Sequence, residues 1–245
     1  MYLGGSVATA ERAIQPVRSE SIFFPAMAVA FALTVFVGFS RTYFLGSYFG
    51  APPLSELKIV HGLIFTSWIT VLITQTGLVA AGRRDIHMKL GILGIGLALA
   101  MIVVGPMLAI DSLRRAAEAH RAAAAIVFFA VPVFAIAMFA VLAMIGIANR
   151  ARPEWHKRFM ILSNVAILPA AVARIPLGFI EHGGPPVFFG LCDLFIVAVV
   201  LYDLAALKRV HPATLWAGGM LIVAQPLCLI VGGTPLWHAF ATSLM

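Results

Sequence analysis

Apolar residues dominate this chain in long runs, and polar ones are concentrated in the gaps between them. Crossing about 30 Å of hydrocarbon takes roughly 20 helical residues at about 1.5 Å each. Seven runs meet that length: about 22–45, 57–81, 87–110, 119–148, 156–180, 185–207 and 213–241. The linkers carry turn-forming residues, as in GAPPLSE at 50–56 and EHGGPP at 181–186. Pro106, Pro132, Pro169, Pro176, Pro226 and Pro235 fall inside runs, where neighbouring helices can satisfy the carbonyls that proline frees. The pattern predicts an all-α polytopic membrane protein, with a cytoplasmic N-terminal segment at 1–20 and a bundle of seven transmembrane helices over 21–245.

Composition agrees. The 245 residues are 62% hydrophobic and 11% charged, with a mean hydropathy of +1.01, against about 25% charged residues in soluble domains. That much apolar surface needs lipid as its solvent. The net charge of +7 sits between the runs rather than in one patch, which assigns it to membrane topology and not to nucleic acid. Arg12, Arg18, Arg83, Arg84, Lys89, Arg150, Arg152, Lys157, Arg158, Lys208 and Arg209 fall on one side; Arg41, Lys58, Arg114, Arg115 and Arg121 fall on the other. The bias predicts a cytoplasmic N-terminus and an external C-terminus, in the inner membrane if the cell is bacterial. Cys192 and Cys228 lie inside runs without a close-spaced partner and read as small packing residues.

Within the basic gaps one signature occurs twice, as RRDIHMKLG at 83–91 and RPEWHKRFM at 152–160. Both read acid, any, His, any, basic, apolar. Asp85 suits an N-cap and Pro153 a first helical position. On that reading the stretches are helix starts with positive-inside anchors, and the histidines are interfacial. The seven histidines nevertheless sort by face: His61, His120, His182 and His238 on the outer side, His87, His156 and His211 on the inner. Four of them, His61, His87, His120 and His156, fall near the starts of spans two to five. Alternating helix direction pairs His87 with His156 and His61 with His120, and each pair could hold a b-type haem between two imidazoles.

Ionisable residues inside spans are the other candidates. Arg174 and Asp193 are placed at similar depth in spans five and six and are expected to form a buried ion pair, with His61 nearby. His211, with Asp203 a turn or two above it, could bind a transition metal, although His211 directly before Pro212 is more simply a helix start. Gln75, Asn164 and Gln225 are expected to hydrogen-bond between helices. Trp68, Trp155, Trp216 and Trp237 are expected near the interfaces.

Two resemblances add to this. KIVHGLIFTSW around His61 and DIHMKLGILG around His87 resemble the ligand helices of the di-haem transmembrane cytochrome b family, whose relatives include ferric reductases. The resemblance covers spans two to five and implies haem b, four ligating histidines, and electron exchange with quinone or a redox protein partner. His120, in AEAHRAAAA, lacks that family's neighbours. Over its whole length the chain is similar to a group of uncharacterised bacterial seven-span membrane proteins. HGLIF at 61–65, DIHMKLG at 85–91, HKRFM at 156–160 and HPATLW at 211–216 carry that likeness, which implies the topology and no chemistry. Three further functions stay open: a transporter with Arg174, Asp193 and His61 lining an outward-facing cavity; an intramembrane hydrolase using His61, Asp193 and His238; and a structural or assembly subunit of a larger membrane complex.

Overall fold

The computed structural model describes residues 19–245, with the backbone of the first helix traceable from Gly5. Arg12, Arg18 and nearly all of the predicted 1–20 cytoplasmic segment lie outside the residues described with their side chains. The helices are α1 (Gly5–Phe39), continued by a π turn at Ser40–Phe44, α2 (Glu56–Ala80), α3 (Arg84–Glu118), α4 (Ala122–Ala148), α5 (Pro153–Ile167), α6 (Pro169–Val172), α7 (Gly178–Leu207), α8 (Pro212–Gly232) and α9 (Pro235–Ser243). Strands are absent among the described residues.

Six helices are long and apolar enough to cross a membrane: Ser19–Phe44, Glu56–Ala80, Arg84–Glu118, Ala122–Ala148, Gly178–Leu207 and Pro212–Gly232. Their outward faces are apolar, with Ile92 74% and Ile230 67% exposed. The buried centre, in contrast, holds Arg158, Ser163, Asn164, Asp203 and Thr214. This is the distribution expected when the surrounding solvent is lipid: apolar side chains gain little by hiding, while polar ones gain hydrogen bonds inside.

The predicted fifth span, 156–180, is not one helix. Pro169 lacks the N–H that would bond the Val165 carbonyl, so Leu168 N–H closes on that carbonyl instead at 3.3 Å, ending α5 and starting α6. Residues 173–177 leave helical geometry before α7 begins. Helix α5 is the most enclosed of the longer helices, packed by α4, α8, α7 and α1. The predicted seventh span also divides, at Gly233, into α8 and α9. In the other direction, α3 runs past its apolar stretch to Glu118, supported by an Asp111–Arg115 ion pair of 2.8 Å and by Arg114 donating to the Leu244 carbonyl at 2.7 Å. Apolar length therefore marks the lipid zone and not the helix ends.

Several details depart from expectation. The N-cap of α3 is Arg83; Asp85 lies inside the first turn and pairs with Arg83 at 3.3 Å. Trp68 and Trp237 are core residues, donating to Asn164 Oδ1 at 2.8 Å and to the Ile126 carbonyl at 2.9 Å. Pro153 opens α5 and Pro212 opens α8, as read. Cys192 and Cys228 are buried and free.

Candidate functional site

One end of the bundle gathers the C-termini of α2 and α4 with the N-termini of α3 and α5, and the linkers there carry Arg83, Arg84, Arg150 and Arg152. At this basic end the two matching histidines meet. His87, in the first turns of α3, and His156, in the first turn of α5, have ring centroids 6.2 Å apart with planes at 83°. His156 Nδ1 lies 2.8 Å from the Gly146 carbonyl oxygen. A carbonyl can only accept, so Nδ1 carries a proton, and in the neutral ring Nε2 is the nitrogen with the free lone pair. Gln75 of α2 donates to the His87 backbone carbonyl at 3.1 Å. The His87 Nδ1 and Gln75 Oε1 atoms are buried without a partner. Two unsatisfied polar atoms beside an oriented imidazole are what a ligand or an ordered water would complete.

The donor set can be tested against an axially ligated metal. Two imidazoles on opposite sides of one metal, bonded at about 2.0–2.1 Å each, place their ring centres roughly 6 Å apart. The second-nitrogen bond from His156 to Gly146 is the outer contact that orients a ligating imidazole. The pair fits. The glycines beside it do not form an open cradle: a Cβ at Gly91 would lie 3.6 Å from Gln75 Nε2, and one at Gly146 would lie 2.9 Å from Met160 Sδ. Those faces are closed by helix packing.

A second cluster is deeper and is built of charge. Arg158, at 0% exposure, donates from Nε to Asp203 Oδ1 at 2.9 Å and also from Nη2 to the same oxygen. Its Nη1 reaches Glu154 Oε2 at 2.7 Å and the Glu154 carbonyl at 2.9 Å. Asp203 Oδ2 accepts from Thr214 Oγ1 at 2.5 Å and from the His211 backbone N–H at 3.0 Å. Lys157 then links Glu154 to Glu20 of α1 at 2.8 and 2.7 Å. Four helices, α1, α5, α7 and α8, are thereby tied together. The proposed metal ligands His211 and Asp203 do meet, but through the His211 backbone. Four donors saturate the carboxylate, which leaves no oxygen free for a metal. The His211 ring caps α8, its Nδ1 accepting from Ala213 N–H at 3.1 Å. Burial, aided by the positive charge of Arg158, holds this imidazole below its ordinary pKa.

Arg158 is the residue sequence reasoning missed, having been assigned to the basic anchor. Its signal was available: it stands four residues after Glu154, one helical turn inside its helix, while Asp203 stands one turn before the end of α7, so their depths match.

The expected Arg174–Asp193 ion pair does not form. Asp193 Oδ1 accepts from Gln225 Nε2 at 2.7 Å, whereas Arg174 donates from Nη1 to the Ala170 carbonyl at 2.5 Å and lies over the Phe39 ring at 5.0 Å. The break after α6 separates Arg174 from the regular helix on which the depth estimate relied. His61 stacks on Phe65 at 4.0 Å. His120 is exposed and lies in the turn just before α4 begins, outside the helix. It occupies the left-handed position (φ 57°) that closes α3, its N–H bonding the Ala117 carbonyl at 2.9 Å while Arg121 N–H bonds Ala116 at 2.8 Å, a turn usually closed by glycine. Among the described residues no ring contact joins His61 to His120. Gln75, Asn164 and Gln225 each bond across helices as read.

These features define a polytopic α-helical membrane protein with an oriented histidine pair at its basic end and a buried ion-pair network beside it. No protein-family profile, curated protein or solved structure matches the chain.

Proposed function

We propose that this is a membrane redox protein that holds one b-type haem between His87 and His156 and exchanges electrons with a quinone or a redox protein. The observation that carries the reading is the ring pair itself: two imidazoles from non-consecutive helices, 6.2 Å apart, one with its second nitrogen held by a backbone carbonyl. The resemblance of the His61 and His87 segments to di-haem transmembrane cytochromes b supports it. A second haem at His61 and His120 is not part of the proposal, because His120 is a turn residue. When bound, the group would supply a one-electron couple between ferric and ferrous iron. The chain's own share is to present Nε2 of His156 and to bury His87 Nδ1.

The positive-inside bias places the basic end in the cytoplasm. Residues 153–172 would cover about 30 Å at about 1.5 Å per residue, and α5 with α6 counted as a seventh crossing supports an external C-terminus. A structural or assembly subunit is the second reading, favoured by the filled glycine faces at Gly91 and Gly146.

Absorption spectra of the purified protein, oxidised and then dithionite-reduced, decide between them. The redox reading expects a sharp reduced α-band that disappears in His87→Ala and in His156→Ala while both variants stay folded. A colourless protein from cells supplied with haem precursor would sink it.

A further inference from the structure

At the end of the bundle opposite the histidine pair, unusual local structure holds an arginine that has no acidic partner among the described residues. Gly38 packs so closely on α6 that a Cβ there would sit 2.2 Å from the Ala171 carbonyl oxygen. That approach slides Phe39 beneath the Arg174 guanidinium, 5.0 Å from its ring centre. Directly after Phe39 the helix widens into the π turn Ser40–Phe44, a rare form that recurs at functional sites. The turn aims Tyr43 at α2, where its hydroxyl donates to the Ile59 carbonyl at 3.2 Å and its ring occupies the space left by Gly62. The π turn thereby docks on the turn of α2 that carries His61.

Arg174 is exposed and makes one hydrogen bond, to the Ala170 carbonyl. A guanidinium carries five N–H donors, so most of its fork points at no protein acceptor. Among the described residues no carboxylate pairs with it. The Phe39 ring and the Ala170 bond fix the fork's plane, so little rotamer freedom is left to lose on binding. A fixed guanidinium whose remaining donors meet no protein acceptor matches the oxygens of a phosphate group, which accept in a bidentate manner.

We propose that Arg174, with His61 on the α2 turn against which the π turn docks, forms a binding site for a phosphate group, either the headgroup of an anionic lipid or free phosphate. The inference stands apart from the redox reading and shares no residue with its histidine pair.

The test uses the full-length protein reconstituted in vesicles, with a spin-labelled phosphatidylglycerol and a spin-labelled phosphatidylcholine as probes. The fraction of motionally restricted probe measures contact with the protein. Wild type should prefer phosphatidylglycerol, and Arg174→Gln should weaken the preference, the lost site costing roughly tenfold in affinity. Arg174→Lys, which keeps the charge and loses the fork, should fall between. Comparison of variants within one protein removes the contribution of the lysines and arginines at the basic end. If inorganic phosphate added to detergent-solubilised wild type raises its unfolding temperature and that of Arg174→Gln does not change, while the lipid preference is equal in both, the ligand is free phosphate. Equal lipid preference together with no phosphate response in wild type would overturn the proposal. Should Arg174→Gln fail to accumulate, His61→Gln and Arg174→Lys carry the same comparison.

Discussion

Replacing Asp203 by Asn alters one oxygen and one charge at the most enclosed point of the molecule. The carboxylate takes four donors: Nε and Nη2 of Arg158, the Thr214 hydroxyl and the His211 N–H. Asparagine keeps the volume and one acceptor, but Arg158 then remains at 0% exposure with Glu154 as its remaining carboxylate, and Glu154 is half exposed and shared with Lys157. Removing one partner of a buried pair costs about 3–5 kcal/mol, mostly because the surviving charge is stranded. Arg158→Met should cost a similar amount, stranding Asp203 with only its two neutral donors. The double variant R158M/D203N removes both charges and still offers an acceptor to Thr214 and His211, so it should be less destabilised than the sum of the single changes by about 2 kcal/mol. Reversible unfolding in mixed micelles, followed by tryptophan fluorescence, measures all three against wild type. Additive losses, or single losses below about 1 kcal/mol as for a surface pair, would refute the claim that this ion pair holds α5 to α7.

Two further outcomes follow from local geometry. His120 holds a left-handed backbone that costs an L-residue about 1–2 kcal/mol, so His120→Gly should raise the unfolding temperature and leave any reduced α-band intact; loss of absorbance would instead make His120 a ligand. The His211 ring caps α8 only while Nδ1 is unprotonated, and its folded pKa lies below the ordinary value of about 6.5. The folded state therefore binds fewer protons than the unfolded one, and this contribution is complete above about pH 6.5 and lost as pH falls below it. Asparagine caps a helix without titrating, so His211→Asn should flatten the fall in unfolding temperature between about pH 7 and pH 5; an unchanged slope would place the titration elsewhere.

The histidine pair shows how far the sequence could be taken. His87 and His156 share a signature, alternate spans return them to one face, and the structure brings their rings together. The same counting brought His61 and His120 to one end but not to a pair, because it took His120 as part of its span. The Asp111–Arg115 pair and the Arg114 contact with Leu244 carry α3 beyond its apolar run, and His120 ends up closing that helix. For Arg174 and Asp193 the depth estimate assumed an unbroken fifth helix, which Pro169 and the non-helical residues 173–177 interrupt.

By itself the sequence determined the solvent and the helical class, since a mean hydropathy of +1.01 with 11% charge leaves lipid-embedded helices as the way to satisfy the backbone. It also determined which histidines share an end, because helices of bilayer length alternate in direction. Only the tertiary structure decided which way each polar side chain turns. In water an amphipathic stripe marks the buried face of a helix; in lipid both faces are apolar, so that stripe is weak and the inward face goes unannounced. For Arg158 the sequence held a spacing to Glu154 and a depth match to Asp203, but its inward turn was decided only when α7 and α8 brought Asp203, Thr214 and the start of α8 around it.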